Sequence, residues 1–93
     1  MKEVRKINVD KVRSMCIRND YYTHGTNRAY MAMFEKCRVE NPTTEDFAII
    51  AEDIFDNSDR AGMKERTGLS SLELVKGIMF ELINDCTTVF IED

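Results

Sequence analysis

The sequence predicts a mainly α-helical fold, a compact bundle of about four helices with a short two-stranded ribbon or an extended tail drawn from the two ends. Three observations carry this expectation. Apolar residues recur at three- and four-residue intervals in separate windows, the spacing that lines one face of a helix. Ser, Thr, Asn or Asp stands just ahead of each window, where the free N–H groups of a helix start need side-chain acceptors. Between the windows lie turn-forming stretches: residues 19–25, Asn41-Pro42, and a charged segment with Gly62 and Gly68.

Asn8 or Asp10 is placed to cap a first helix over 9–18, with Val9, Val12, Met15 and Cys16 on one side. Thr26 or Asn27 opens a second over 27–39, whose Tyr30, Met33, Phe34 and Cys37 form its core stripe. Asn41-Pro42 is expected to stop it, because the residue before a proline is pushed out of helical geometry. Thr43 with Asp46 gives a shortened capping box for a third helix over 44–57, and Phe47, Ile50, Ala51 and Ile54 repeat the stripe.

Residues 57–69 read as a long loop with room for a short helical turn. Ser70 and Glu73 then form a full capping box, with Leu69 and Leu74 placed as a hydrophobic staple. The fourth helix, 71–86, carries Leu72, Val75, Ile78, Met79, Leu82 and Ile83 as its apolar set. Gly77 inside it costs about 1 kcal/mol relative to Ala and points to close packing against another helix. Thr87-Thr88-Val89-Phe90-Ile91 is β-branched and aromatic and prefers an extended form. It pairs with residues 4–9, docks on the bundle as a tail, or pairs with another chain.

A chain of 93 residues is expected to form one domain across 1–93 with one core. Such a domain buries about 60% of its unfolded surface, which leaves little room for a deep catalytic cleft. No apolar run approaches the length of a membrane span, and the charged first residues lack the apolar segment of a secretory signal. Three widely spaced cysteines, Cys16, Cys37 and Cys86, fit a reducing compartment better than a disulfide framework. A cytoplasmic location is therefore expected.

The net charge of −4 hides a larger asymmetry. Residues 1–39 hold nine Lys or Arg against four Asp or Glu, and residues 40–93 hold four against thirteen. A concentrated acidic field attracts basic partners and repels phosphate backbones. The basic half either touches an anion or pairs with the acidic half inside the fold.

No catalytic signature is present. His24, the only histidine, lies in a polar loop beside Gly25 with nothing in the spacing to orient it as a general base toward Cys16 or Cys37. The cysteines and histidine lack the close ligand pairs of a zinc site. Asp53, Asp56, Asn57 and Asp59 fit no frame of the twelve-residue calcium loop. The glycines build no phosphate loop, and there is no nucleophile elbow. The expectation is a non-enzyme with no cofactor and no metal.

The third helix carries the best candidate for binding. At about 100° per residue, Glu45, Glu52 and Asp56 lie opposite its core stripe, Asp46 and Asp53 lie at the flank, and Ile49 sits among them. An apolar anchor ringed by carboxylates suits a basic, partly apolar partner. The competing reading places Ile49 under the 57–69 loop with the carboxylates merely solvated. Tyr21 and Tyr22 form a second candidate contact, unless one ring closes the end of the bundle.

Several short segments carry a resemblance. Tyr22-Thr23-His24-Gly25-Thr26-Asn27, Asn41-Pro42-Thr43, Ala51-Glu52-Asp53-Ile54 and Asn57-Ser58-Asp59 are followed by an apolar helix and a Thr-rich extended end. Together they resemble a group of small uncharacterised proteins from Clostridia and their phages. The resemblance implies no site residues. It implies an inhibitor encoded by a mobile element, of anti-CRISPR type, that occupies a basic nucleic-acid-binding or target-recognition site of a host protein such as a nuclease. The expected partner is thus a protein, without direct nucleic-acid or membrane binding. The alternative is a small transcriptional regulator that binds DNA through the basic half, the first two helices serving as a helix-turn-helix remnant.

Overall fold

A strand pairing and a set of helix starts define the architecture. The computed structural model describes residues 1–19, 21, 27–59 and 62–92, with the backbone alone at positions 27, 29, 30 and 59. Expectations placed on Tyr22, His24, Gly25 and Thr26, and on the Asn27 and Tyr30 side chains, fall outside what is described. In chain order the elements are β1 (Lys2–Ile7), α1 (Val9–Arg18), α2 (Asn27–Lys36), α3 (Thr44–Asp59), α4 (Met63–Thr67), α5 (Ser71–Asn84) and β2 (Cys86–Ile91). The described residues are thus mainly helical with one small antiparallel sheet.

The helix starts follow the cap chemistry. Asn8 is the cap of α1, its Oδ1 accepting from the Lys11 N–H at 3.2 Å. At α3 the shortened box is fully reciprocal. The Asp46 N–H donates to Thr43 Oγ1 at 3.2 Å, and the Thr43 N–H donates to Asp46 Oδ2 at 2.8 Å. Ser70 caps α5, accepting from the Glu73 N–H at 3.2 Å. Each such cap contributes about 1 kcal/mol.

Five expectations need correction. The loop over 57–69 is shorter than expected, because α3 runs to Asp59 and α4 follows as a fifth helix. Gly68, at φ 69° in the left-handed region that glycine adopts without strain, ends α4 by donating its N–H to the Lys64 carbonyl.

The second helix stops at Lys36, ahead of Asn41-Pro42, because β1 captures the residues that follow it. Asn41, at φ 49°, donates its N–H to the Arg5 carbonyl at 2.8 Å and accepts the Arg5 N–H on Oδ1 at 3.0 Å. Lys6 forms a bridge with Glu40 beside this contact. An extended segment held at one edge of β1 cannot also be helix.

The fourth predicted helix ends at Asn84, since Cys86 already pairs with Ile7. Its apolar arc is wider than its neighbour can cover. Leu74, Ile78 and Leu82 face the core, whereas Leu72 and Ile83 stay exposed. Gly77 marks no close approach, for a Cβ added there would meet open space.

The core draws on every helix. Val12, Met15 and Cys16 of α1 meet Met33 of α2, together with Cys37 just past its end. Phe47, Ile50, Ala51, Ile54 and Phe55 of α3 complete it with Met63 of α4 and Leu74, Ile78 and Leu82 of α5. The third helix is central, packing mainly on α5 and also on α2 and α4. The ribbon joins the two ends in register, Val4 opposite Val89 and Ile7 opposite Cys86, and Ile7 links it to the core. Pairing with β1 is the outcome for the extended C-terminal segment.

Candidate partner-binding surface

The core stripe of α3 faces α5 and α2, so its opposite face is turned outward and Ile49 is 47% exposed. It lies beside the end of α2, in a groove of about 230 Å³ with Lys36, Val39, Asp46 and Ile50. Among the described residues, none of the 57–69 segment lines that groove.

Tertiary neighbours divide the carboxylates between the two flanks of α3. On the α2 flank, Asp53 Oδ1 meets Lys36 Nζ at 3.4 Å, and Asp46 is held by the cap at Thr43. On the α5 flank, Glu52 and Asp56 stand exposed, and Glu45 is exposed near the helix start. Among the described residues these three have no ion-pair partner. Asp56 lies near the C-terminal, negative end of α3, where the macrodipole adds to its field, whereas Glu45 stands in the first turn at the positive end.

Glu52 and Asp56 line a groove of about 310 Å³ between α3 and α5, shared with Phe55, Ser71, Leu72 and Val75. Leu72 is 63% exposed at its rim. The Phe55 ring is nearly buried and carries the Lys64 ammonium 4.9 Å from its centroid. Leu72 is therefore a residue of this surface that its helical spacing assigned to the core. The signal available in the sequence was its place at the limit of an apolar arc too broad for one contact face.

Tyr21 lies apart from this surface. It is half-buried against the core, and its N–H donates to the Cys16 carbonyl at 2.8 Å. Burial, reinforced by the Glu81 carboxylate, raises its phenol above the ordinary range. Tyr21 thus packs on the core, and Tyr22 falls outside the described residues.

The thiols are placed for packing. Burial pushes both Cys16 and Cys37 up to about 12, which keeps them protonated and poorly nucleophilic at neutral pH. Cys86 donates its S–H to the Leu82 carbonyl at 3.4 Å. Among the described residues, no group of three or more His, Cys, Asp or Glu is placed to hold a metal ion, and no helix is long and apolar enough to cross a membrane.

Among the described residues, Arg18 with Glu81 at 3.3 Å and Lys36 with Asp53 link the basic and acidic halves. Arg13 instead pairs with Asp10 and lies over the Phe34 ring, and Arg38 pairs with Glu35. Among the described residues these pairs neutralise part of the charge asymmetry, and they leave the carboxylates on the α5 flank of α3 without a partner. Compared with known proteins, no family model, no curated protein and no solved structure matches this chain.

Proposed function

We propose that this protein is a non-catalytic interaction module whose α3 face engages a basic, partly apolar site on another protein. The supporting observation is the outer face of α3, where exposed Ile49 lies among the carboxylates of Glu45, Glu52 and Asp56, which have no ion-pair partner among the described residues, with exposed Leu72 at the rim of the adjoining groove against α5. Apolar anchors supply affinity by leaving water, and the carboxylates orient the approach of Lys or Arg. Such a face competes with phosphate groups for a cationic groove. An inhibitor of a host nucleic-acid-binding protein, the role implied by the resemblance to small phage proteins, uses that competition.

Two of the cations near α2 that a DNA-binding reading would need, Lys36 and Arg38, pair with Asp53 and Glu35. The test combines capture from host lysate with DNA titration. The wild-type chain should retain a protein that the Glu52→Lys, Asp56→Lys double variant, equally folded, does not. Duplex DNA should show no measurable binding in about 150 mM salt, where weak phosphate contacts are largely lost. DNA retention at that salt, or identical capture by both chains, overturns the proposal.

A further inference from the structure

The ribbon has one occupied edge and one open edge. In an antiparallel ladder a residue's N–H and C=O point to the same side, and successive residues alternate. Arg5 directs both groups to Asn41, and so turns its backbone away from β2. Its cross-strand partner Thr88 is then a non-hydrogen-bonded position, with its own N–H and C=O turned to the outer edge. By alternation the same holds for Cys86 and Phe90, opposite Ile7 and Glu3. No described residue pairs with this outer edge.

Open edges are ordinarily protected by charge, proline or a bulge. The strand Cys86–Ile91 contains no charged residue, no proline and no glycine, and Phe90 on it is 65% exposed. Its backbone and its side chains both fit a copy of itself. We propose that the outer edge of β2 pairs antiparallel with β2 of a second copy of this chain, about a two-fold axis through Thr88, so that two ribbons become one continuous sheet.

Among the registers that the backbone directions allow, the one centred on Thr88 pairs all three outward-facing residues. Thr88 faces Thr88 of the second copy, and Cys86 faces Phe90, so every outward N–H meets an outward carbonyl. A one-residue shift would set outward-facing groups against inward-facing ones and is excluded. In this register Thr87 lies opposite Val89, an uncharged β-branched pair of the kind that stabilises neighbouring strands. Asp85 and Glu92 fall opposite Ile91 and Asn84, so no two acidic side chains are directly opposed. The contact is isologous, as a two-fold dimer requires.

Sedimentation equilibrium of the full chain from micromolar to near-millimolar concentration tests this, together with two variants. Thr88→Pro removes an outward N–H without removing any bond to β1, a position where an edge strand tolerates proline. Thr88→Lys sets like charges against each other on the axis. The wild type should pass from monomer to dimer with concentration, and each variant should weaken dimerisation at least about tenfold. Far-UV circular dichroism should be unchanged in both, and if the proline variant loses structure the lysine variant decides. A wild type that stays monomeric throughout overturns the proposal, even if its β2 edge captures some other extended peptide. So does a dimer that survives in both folded variants, since it then forms through another face.

Discussion

The two flanks of α3 start from the same ingredients and end in different states. Both present carboxylates beside an exposed isoleucine, yet the α2 flank meets Lys36 at 3.4 Å while the α5 flank meets Leu72, Val75 and Phe55. A helical projection assigns charge to a face, but the neighbouring helices decide which part of that charge remains available. The α5 flank combines negative potential with apolar surface. The α2 flank is closer to neutral, and Ile49 sits on the crest between them.

The largest effect that can break this comparison separates the crest from the core beneath it. Ile54→Ala, at a fully buried position, should cost about 2–5 kcal/mol in denaturant unfolding. Ile49→Ala should stay within about 0.5 kcal/mol, as surface sites do. A loss of several kcal/mol at Ile49 would show that the crest is core and remove the proposed surface.

Next in size is the effect on partner affinity. Ile49→Ala and Leu72→Ala should each weaken binding by about 2 kcal/mol, roughly thirtyfold, with little change in melting temperature. Isothermal titration alongside thermal unfolding checks that the two quantities move apart. If only Leu72→Ala weakens binding, the surface shrinks to the α5 flank.

Smaller again is the electrostatic contribution. Glu52→Lys and Asp56→Lys should slow association more than they speed dissociation, and the difference should fade in high salt. Stopped-flow association at two ionic strengths measures this. An effect confined to dissociation would mean that the carboxylates are buried contacts and not a steering field.

The smallest expected change tests the α2 flank. Lys36→Met removes a partly exposed pair, so it should alter stability by less than about 1 kcal/mol. It should also speed association with a basic partner, because Asp53 then adds to the acidic field. An unchanged rate would indicate that the partner never approaches from that side.

Local chemistry in this chain was readable from the sequence wherever the cause lay within a few residues. Asn8, Thr43 with Asp46, and Ser70 all cap the helices they precede, and Phe47, Ile50, Ala51 and Ile54 all reach the core. What spacing could not supply was set by distant contacts. Arg5 holds Asn41 in a left-handed turn beside the Lys6–Glu40 bridge, and α2 ends early. The choice among eight apolar positions of α5 depends on where α3 lies, which placed Leu74 inside and Leu72 outside. The outward position of Ile49 was legible, but the Lys36–Asp53 pair that divides its surroundings joins two helices and leaves no trace in local periodicity.

The pairing of Val4 with Val89 also has a consequence for biosynthesis. A ribosome adding roughly 5–20 residues per second makes β1 several seconds before β2 exists. During that interval the helices between them can form on their own microsecond timescale, while closure across the whole chain carries the greatest entropic cost. Asn41 emerges in the meantime and gives Arg5 both a donor and an acceptor. One edge of the early strand can therefore be satisfied while the nascent chain lengthens, and the arrival of β2 on the other edge fastens the finished molecule.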